Sequence, residues 1–260
     1  MIQSNPVSKS IINSFLLIGL CLLLISSCKS DDEEVNQVPA ATSADIVFNI
    51  SNTVDGATLI SDTLAYTNAS GNVYSVSVLK YYLSNFVFIA DDGSEFYAPN
   101  YELIIESDAS YKTFVIDNVP NGNYTSMRFF MGVDSTRNFS GALTGDLDPV
   151  HGMLWDWNTG YLYFMHEGEF IDSTGAILPI TFHYGTLKSL VTEEIPISIK
   201  VSGKQRTIEL SFNLNKVYAS PNQMNFNGDN FHQSTGPGEN GWVQLIKQNF
   251  QGAFSVTAID

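Results

Sequence analysis

Between Asp148 and Gly168 the chain reads Asp-Pro-Val-His-Gly-Met-Leu-Trp-Asp-Trp-Asn-Thr-Gly-Tyr-Leu-Tyr-Phe-Met-His-Glu-Gly. Two of the three tryptophans (Trp155, Trp157), two of the four histidines (His151, His166) and two methionines (Met153, Met165) fall within it. Met153, Trp155 and Trp157 are spaced by two, so an extended backbone projects them to one side. A thioether beside two indoles, with the His151 imidazole two residues upstream, suits a packed core or a soft-metal site. The other two histidines are His183, within Phe182-His183-Tyr184-Gly185, and His232, in an Asn- and Gly-rich stretch. No H-x-H or H-x-x-x-H spacing joins the four, and each also reads as an ordinary loop or strand residue.

Other chemistries find less support. No serine sits in a G-x-S-x-G turn, and scattered histidines without local partners specify no triad. Asp134, Asp146 and Asp148 lie on a Gly-rich loop, but their spacing matches no calcium loop. Glycoside hydrolysis needs two placed carboxylates, and among 27 acidic residues the sequence singles out no pair. A glycine-rich phosphate loop is missing. The expectation is a binding protein and not an enzyme.

The N-terminus reads as a leader. Lys9 is the only charge before Cys28, and Ile11 to Ile25 is an apolar run too short and wrongly flanked for a spanning helix. It ends in Leu24-Ile25-Ser26-Ser27-Cys28, which looks like a bacterial lipobox, so residues 1–27 read as a lipoprotein signal peptide. Cys28 would be lipidated, and two or more acyl chains anchor stably in a bilayer. Cys21 leaves with the leader, so neither a disulfide nor a thiolate ligand remains. Residues 28–44 carry the lipidated Cys and an acidic tether, Lys-Ser-Asp-Asp-Glu-Glu and onward, without periodicity. An acidic run after a lipidated Cys resembles the surface-export signal of some Gram-negative lipoproteins. The expected location is the outer membrane, at the cell surface or facing the periplasm. A net charge of −15 makes nucleic acid a poor partner and draws cations.

The residues with chemical potential need a scaffold, and residues 45–260 supply a β-rich one. Short runs of β-formers separated by turn signals predict a single all-β sandwich domain with long loops, about nine to eleven strands and one short helix near the C-terminus. Ile46, Phe48 and Ile50 alternate in a first strand, and Met127, Phe129 and Met131 share one face of a later one. In the strand 161–167, Tyr161, Tyr163 and Met165 face one way; Leu162, Phe164 and His166 face the other. Ile180, Phe182 and Tyr184 oppose His183. Residues 195–201 and 207–214 read as an antiparallel pair, residues 222–241 as an irregular loop. Trp242, Leu245, Ile246 and Phe250 fall on a helical stripe between Gly241 and Gln251.

A run of motifs across residues 44–260 resembles the MbnP-like copper-binding family. The matching residues are Leu79-Lys80-Tyr81-Tyr82-Leu83-Ser84-Asn85-Phe86, Gly132-Val133-Asp134-Ser135 with Asn138, and Leu147-Asp148-Pro149. Then come His151-Gly152-Met153-Leu154-Trp155-Asp156-Trp157-Asn158-Thr159-Gly160-Tyr161, Glu167-Gly168, Phe182-His183-Tyr184-Gly185, and His232 ahead of Asn249-Phe250. The resemblance implies a copper site built from imidazoles. In some members a tryptophan-derived kynurenine, made by a partner dihaem peroxidase-like enzyme, belongs to that site. His183 matches a ligand-type position best, with His151, Met153 and His232 as further candidates and Trp155 or Trp157 as the modifiable indole. The expected function is copper uptake or storage by a membrane-anchored protein. The alternative is a surface lipoprotein that binds glycan or protein through an aromatic platform of Trp155, Trp157 and nearby tyrosines. The copper account requires the His183 imidazole to meet the indole-bearing segment in the folded molecule.

Overall fold

The computed structural model describes residues 42–140, 143–156 and 159–260. The leader, Cys28, almost all of the tether, and Trp157 lie outside the described residues. In chain order the strands are β1 (Ser43–Val54), β2 (Ala57–Thr58), β3 (Tyr66–Thr67), β4 (Val73–Tyr74), β5 (Val78–Ala90), β6 (Glu95–Ile105), β7 (Thr113–Pro120) and β8 (Gly122–Met131). They continue as β9 (Leu154–Asp156), β10 (Gly160–Ile171), β11 (Ile177–Gly185), β12 (Val191–Val201), β13 (Arg206–Asn213), β14 (Phe231–Gln233) and β15 (Phe254–Ile259). Among the described residues no helix is long and apolar enough to cross a membrane.

The strands form two sheets. The smaller runs β15-β13-β1-β2, with β7 also paired to β1. The larger runs β12-β8-β5-β10-β11-β14, with β6 on β5, and β4 and β9 on β10. This is the all-β sandwich that the strand pattern predicts. Ile46, Phe48 and Ile50 of β1 point inward and are buried, as are Met127, Phe129 and Met131 of β8. The interior is aromatic: Phe48 stacks on Phe114 with centroids 4.9 Å apart, and Phe86 stacks on Phe129 at the same separation. Stacked and edge-on rings add to the energy of burial itself.

Three expectations are corrected by the fold. Residues 195–201 and 207–214 do not pair: β12 pairs with β8, whereas β13 lies parallel to β1 and antiparallel to β15. Period-two alternation shows which face of a strand is apolar but not which strand completes its ladder. Here the turn carries the chain from one sheet to the other, and both apolar faces join one core. Second, the stretch 222–241 contains a three-residue strand, β14, held parallel to β11. Third, Leu245 leaves the predicted stripe and is exposed; the helix Asn240–Phe250 buries Trp242, Val243, Ile246 and Phe250 instead. Two shorter helices, Ser135–Asn138 and Leu214–Ala219, accompany it.

Candidate metal centre

Strands β10 and β11 place the chemistry. Their antiparallel register sets Met165 against His183, His166 against Phe182, and Glu167 against Thr181. Because side chains alternate along a strand, Met165, Glu167 and His183 share the outer face. His166 and Phe182 share the inner face, and both are buried.

On the outer face, His183 Nε2 lies 2.8 Å from Glu167 Oε1. The carboxylate can only accept while unprotonated, so it keeps the imidazole proton on Nε2. That leaves Nδ1 with the ring's lone pair. Carboxylate–histidine pairing of this kind is what orients imidazoles towards metals. Directly across the ladder sits Met165, a soft sulfur donor, only 9% exposed. On the other flank of Met165 the register places Lys80 of β5. Its Nζ donates to the backbone carbonyl of His151 at 2.9 Å. The His151 segment therefore meets this row through its main chain. Its ring turns elsewhere, with Nε2 3.0 Å from the Gly145 carbonyl and an edge-on contact to Tyr111 at 5.5 Å.

The segment that carries His151 and leads into Trp155 of β9 is held by its neighbours. Asp134 caps the helix Ser135–Asn138 and accepts from the Tyr101 hydroxyl at 2.7 Å and Asn85 Nδ2 at 3.1 Å. Asn138 Oδ1 accepts the Tyr161 N–H at 2.9 Å. Gly160 has φ +84°, and any side chain there would run into Asn138, so glycine is required. Asp146 takes the Leu103 N–H on its carboxylate at 2.7 Å and the Tyr82 hydroxyl on its carbonyl at 2.8 Å. Asp148 caps the turn Pro149–His151 through the Val150 N–H. Much of the signature read from the sequence thus shapes this loop.

Met153 is fully buried in the hydrophobic core, and its carbonyl receives the Leu162 N–H at 2.8 Å. Trp155 is partly buried and packed against that core, which leaves less of its face for stacking a sugar ring. Two clefts, of about 270 and 260 Å³, both include Asp146 in their walls, and neither is lined by a described His, Met or Trp.

The two remaining histidines lie on the inner side. His166 is fully buried: Tyr218 Oη donates to Nδ1 at 2.6 Å, and Nε2–H donates to the Ser75 carbonyl at 3.2 Å. Burial disfavours its charged form and pulls its pKa down to about 4. With both nitrogens used, it is a core residue. His232 pairs in register with Phe182, so its ring lies across the sheet from His183. It stacks on Trp242 with centroids 4.4 Å apart and planes 12° from parallel, between Asp229 and Glu239. Among the described residues, no three His, Cys, Asp or Glu side chains converge on one point. Of the candidates read from sequence, His183 alone thus stands on the outer row with its ring, and His151 joins by its carbonyl. Sequence reasoning missed Met165 and Glu167 as its companions. The signal was present in the alternation of both strands, but their register was not.

The MbnP family model matches residues 43–235. Among solved structures, MbnP from Methylosinus trichosporium is similar in fold, with a TM-score of 0.52 at 15% sequence identity. The alignment covers 84% of this chain and 100% of that one. No curated protein matches the chain.

Proposed function

The chain belongs to the MbnP family, and from that premise we propose that it is a membrane-anchored, extracytoplasmic copper-binding protein that takes up or stores the metal and is not an enzyme. The observation that carries this reading is the Glu167–His183 pair at 2.8 Å beside Met165. One imidazole nitrogen and one thioether sulfur form a donor pair that suits Cu(I) far better than magnesium or calcium. His183 and Met165 would hold the ion, and copper bound there is the cargo. Glu167 holds the tautomer; Lys80 ties the His151 loop to the same row. Trp155 remains the described candidate for conversion to kynurenine by a peroxidase-like partner, which intact mass of the natively produced protein would detect. The acidic chain concentrates cations near its surface, and acylation of Cys28 would keep it at the membrane.

The test is anaerobic titration of the full-length chain in detergent with Cu(I), against a chromophoric competitor. Stoichiometric binding tighter than micromolar is expected. His183→Ala and Met165→Ala should each weaken it at least about tenfold, or about 1.4 kcal/mol. Binding weaker than micromolar, or unchanged in His183→Ala, would overturn the proposal.

A further inference from the structure

We infer that the seam between β6 and β7 is a docking groove for an extended, basic peptide segment of another protein. It does not depend on the copper reading. Among the described residues β6 pairs only with β5 and β7 only with β1, so each keeps one edge outside the ladders. The two strands follow one another in the chain, joined by the short turn Ala109–Lys112, and three clefts open between them. The first, of about 200 Å³, has Glu95 and Phe96 on one wall and Pro120 and Asn121 on the other. The second, of about 220 Å³, lies between residues 96–100 and 115–117. The third, of about 270 Å³, lies between residues 102–104 and 113–114. Numbering rises along β6 as it falls along β7, so the clefts form one row. That row follows about nine residues of strand, or roughly 30 Å.

Size and charge select the occupant. Small-molecule sites enclose about 300–1,000 Å³, and each cleft here falls below that range, at the scale of one side chain. An extended chain points alternate side chains to one side, which suits a row of side-chain pockets. The walls carry Asp91, Asp92 and Glu95 at one end, Asp117 in the middle, and Glu102 and Asp146 at the other. None of the three clefts is lined by a described Lys or Arg. Among the described residues Glu95 alone of these acids has a cationic partner, Arg128 at 3.0 Å. Burial raises the Glu102 pKa, against a hydrogen bond from Asn100 and with help from the charge of Asp146. A cation placed between the two carboxylates relieves that cost. Tyr97 and Val115, 53% and 45% exposed, stand on the walls of the central cleft and offer apolar surface to lysine or arginine stems. The net charge of −15 steers a basic segment in and repels a second copy of the chain.

The experiment is fluorescence anisotropy of a labelled, end-blocked decapeptide of alternating lysine and valine, titrated with the full-length chain in non-ionic detergent. The control peptide alternates glutamate and valine. Binding of the lysine peptide tighter than about 100 µM is expected at about 0.1 M salt, weakening as salt rises, with none for the glutamate peptide. Asp117→Asn with Glu102→Gln should weaken it at least about tenfold. Asp62→Asn with Glu169→Gln removes equal charge outside the seam and should change it less than about twofold. Far-UV circular dichroism reports folding; Asp117 is exposed, so its single variant, about threefold weaker, keeps the test valid if the Glu102 variant fails to fold. The peptide should slow amide exchange only along the seam. His183→Ala should leave peptide binding unchanged, so either reading can fail without the other. The inference is overturned by lysine-peptide binding weaker than that limit, by equal binding of both peptides, or by affinity that survives Asp117→Asn. Equal loss in the Asp62 and Glu169 variant, or a sedimenting dimer that the lysine peptide fails to displace, overturns it too.

Discussion

The two faces of the β10–β11 ladder carry imidazoles one register step apart, and they come to opposite ends. Inside, His166 meets Phe182, donates to one carbonyl, accepts from Tyr218 and is sealed from water. Outside, His183 lies opposite Met165, spends one nitrogen on Glu167 and, among the described residues, keeps the other. Residue type does not separate the two. Whether the partners use up one ring nitrogen or both does, together with how much solvent remains. The inner face therefore spends both ring nitrogens on packing contacts, whereas the outer face leaves one nitrogen of its imidazole outside the Glu167 pair.

The largest effect expected from this contrast is on the inner face. Phe182→Ala removes a ring packed against Tyr218, Phe226 and Trp242, and should cost about 3–5 kcal/mol in denaturant unfolding. A loss below about 1 kcal/mol would mean that this face is not the structural one.

Next come two opposed pH dependences of about 3 kcal/mol each, from pKa differences of roughly two to three units. His166 has its pKa lowered by burial from 6.5 to about 4. Its contribution is present above pH 6.5 and is lost as pH falls towards 4, because the unfolded chain takes up a proton that the folded one refuses. Glu193 is buried on β12, with only a 3.4 Å hydrogen bond from the Gly252 N–H, and burial raises its pKa from 4.5 to about 7. Its contribution is full below pH 4.5 and is lost as pH rises through 7. The two terms oppose each other over nearly the same window and largely cancel between about pH 4.5 and 6.5, so urea unfolding of the unaltered chain should vary little there. Glu193→Gln should unmask the rise in stability with pH that His166 supplies, and a flat profile in that variant would exclude Glu193 as the opposing group.

Glu167→Gln should weaken Cu(I) binding about 10- to 100-fold, through loss of the fixed tautomer. Unchanged affinity would reduce the carboxylate to a bystander. The smallest effect is expected from His183→Ala on stability, about 1 kcal/mol, since the side chain is largely covered but gives up one carboxylate contact on the outer face, against the two buried hydrogen bonds of His166. A loss comparable to that of Phe182→Ala would erase the distinction between the faces.

Alternation along the chain was enough to assign most faces. Ile46, Phe48 and Ile50 are inward as their spacing requires, and so are Ile180, Phe182 and Tyr184, with His183 opposite. The Asp148–Gly160 motifs correspond to a locally shaped segment, because glycine at a positive φ and capping aspartates leave local signatures. Partnership was not readable in this way. Nothing in the spacing of Met165, Glu167 and His183 says that they meet, nor that His232 lies across the sheet from His183. Local periodicity follows from the geometry of one strand, whereas register and strand order depend on the packing of segments far apart in sequence. The sequence by itself determined the β-class of the chain, the faces of its strands and the kinds of donor available. Only the tertiary structure decided which nitrogen keeps its lone pair, because that depends on the neighbour each imidazole acquires on folding.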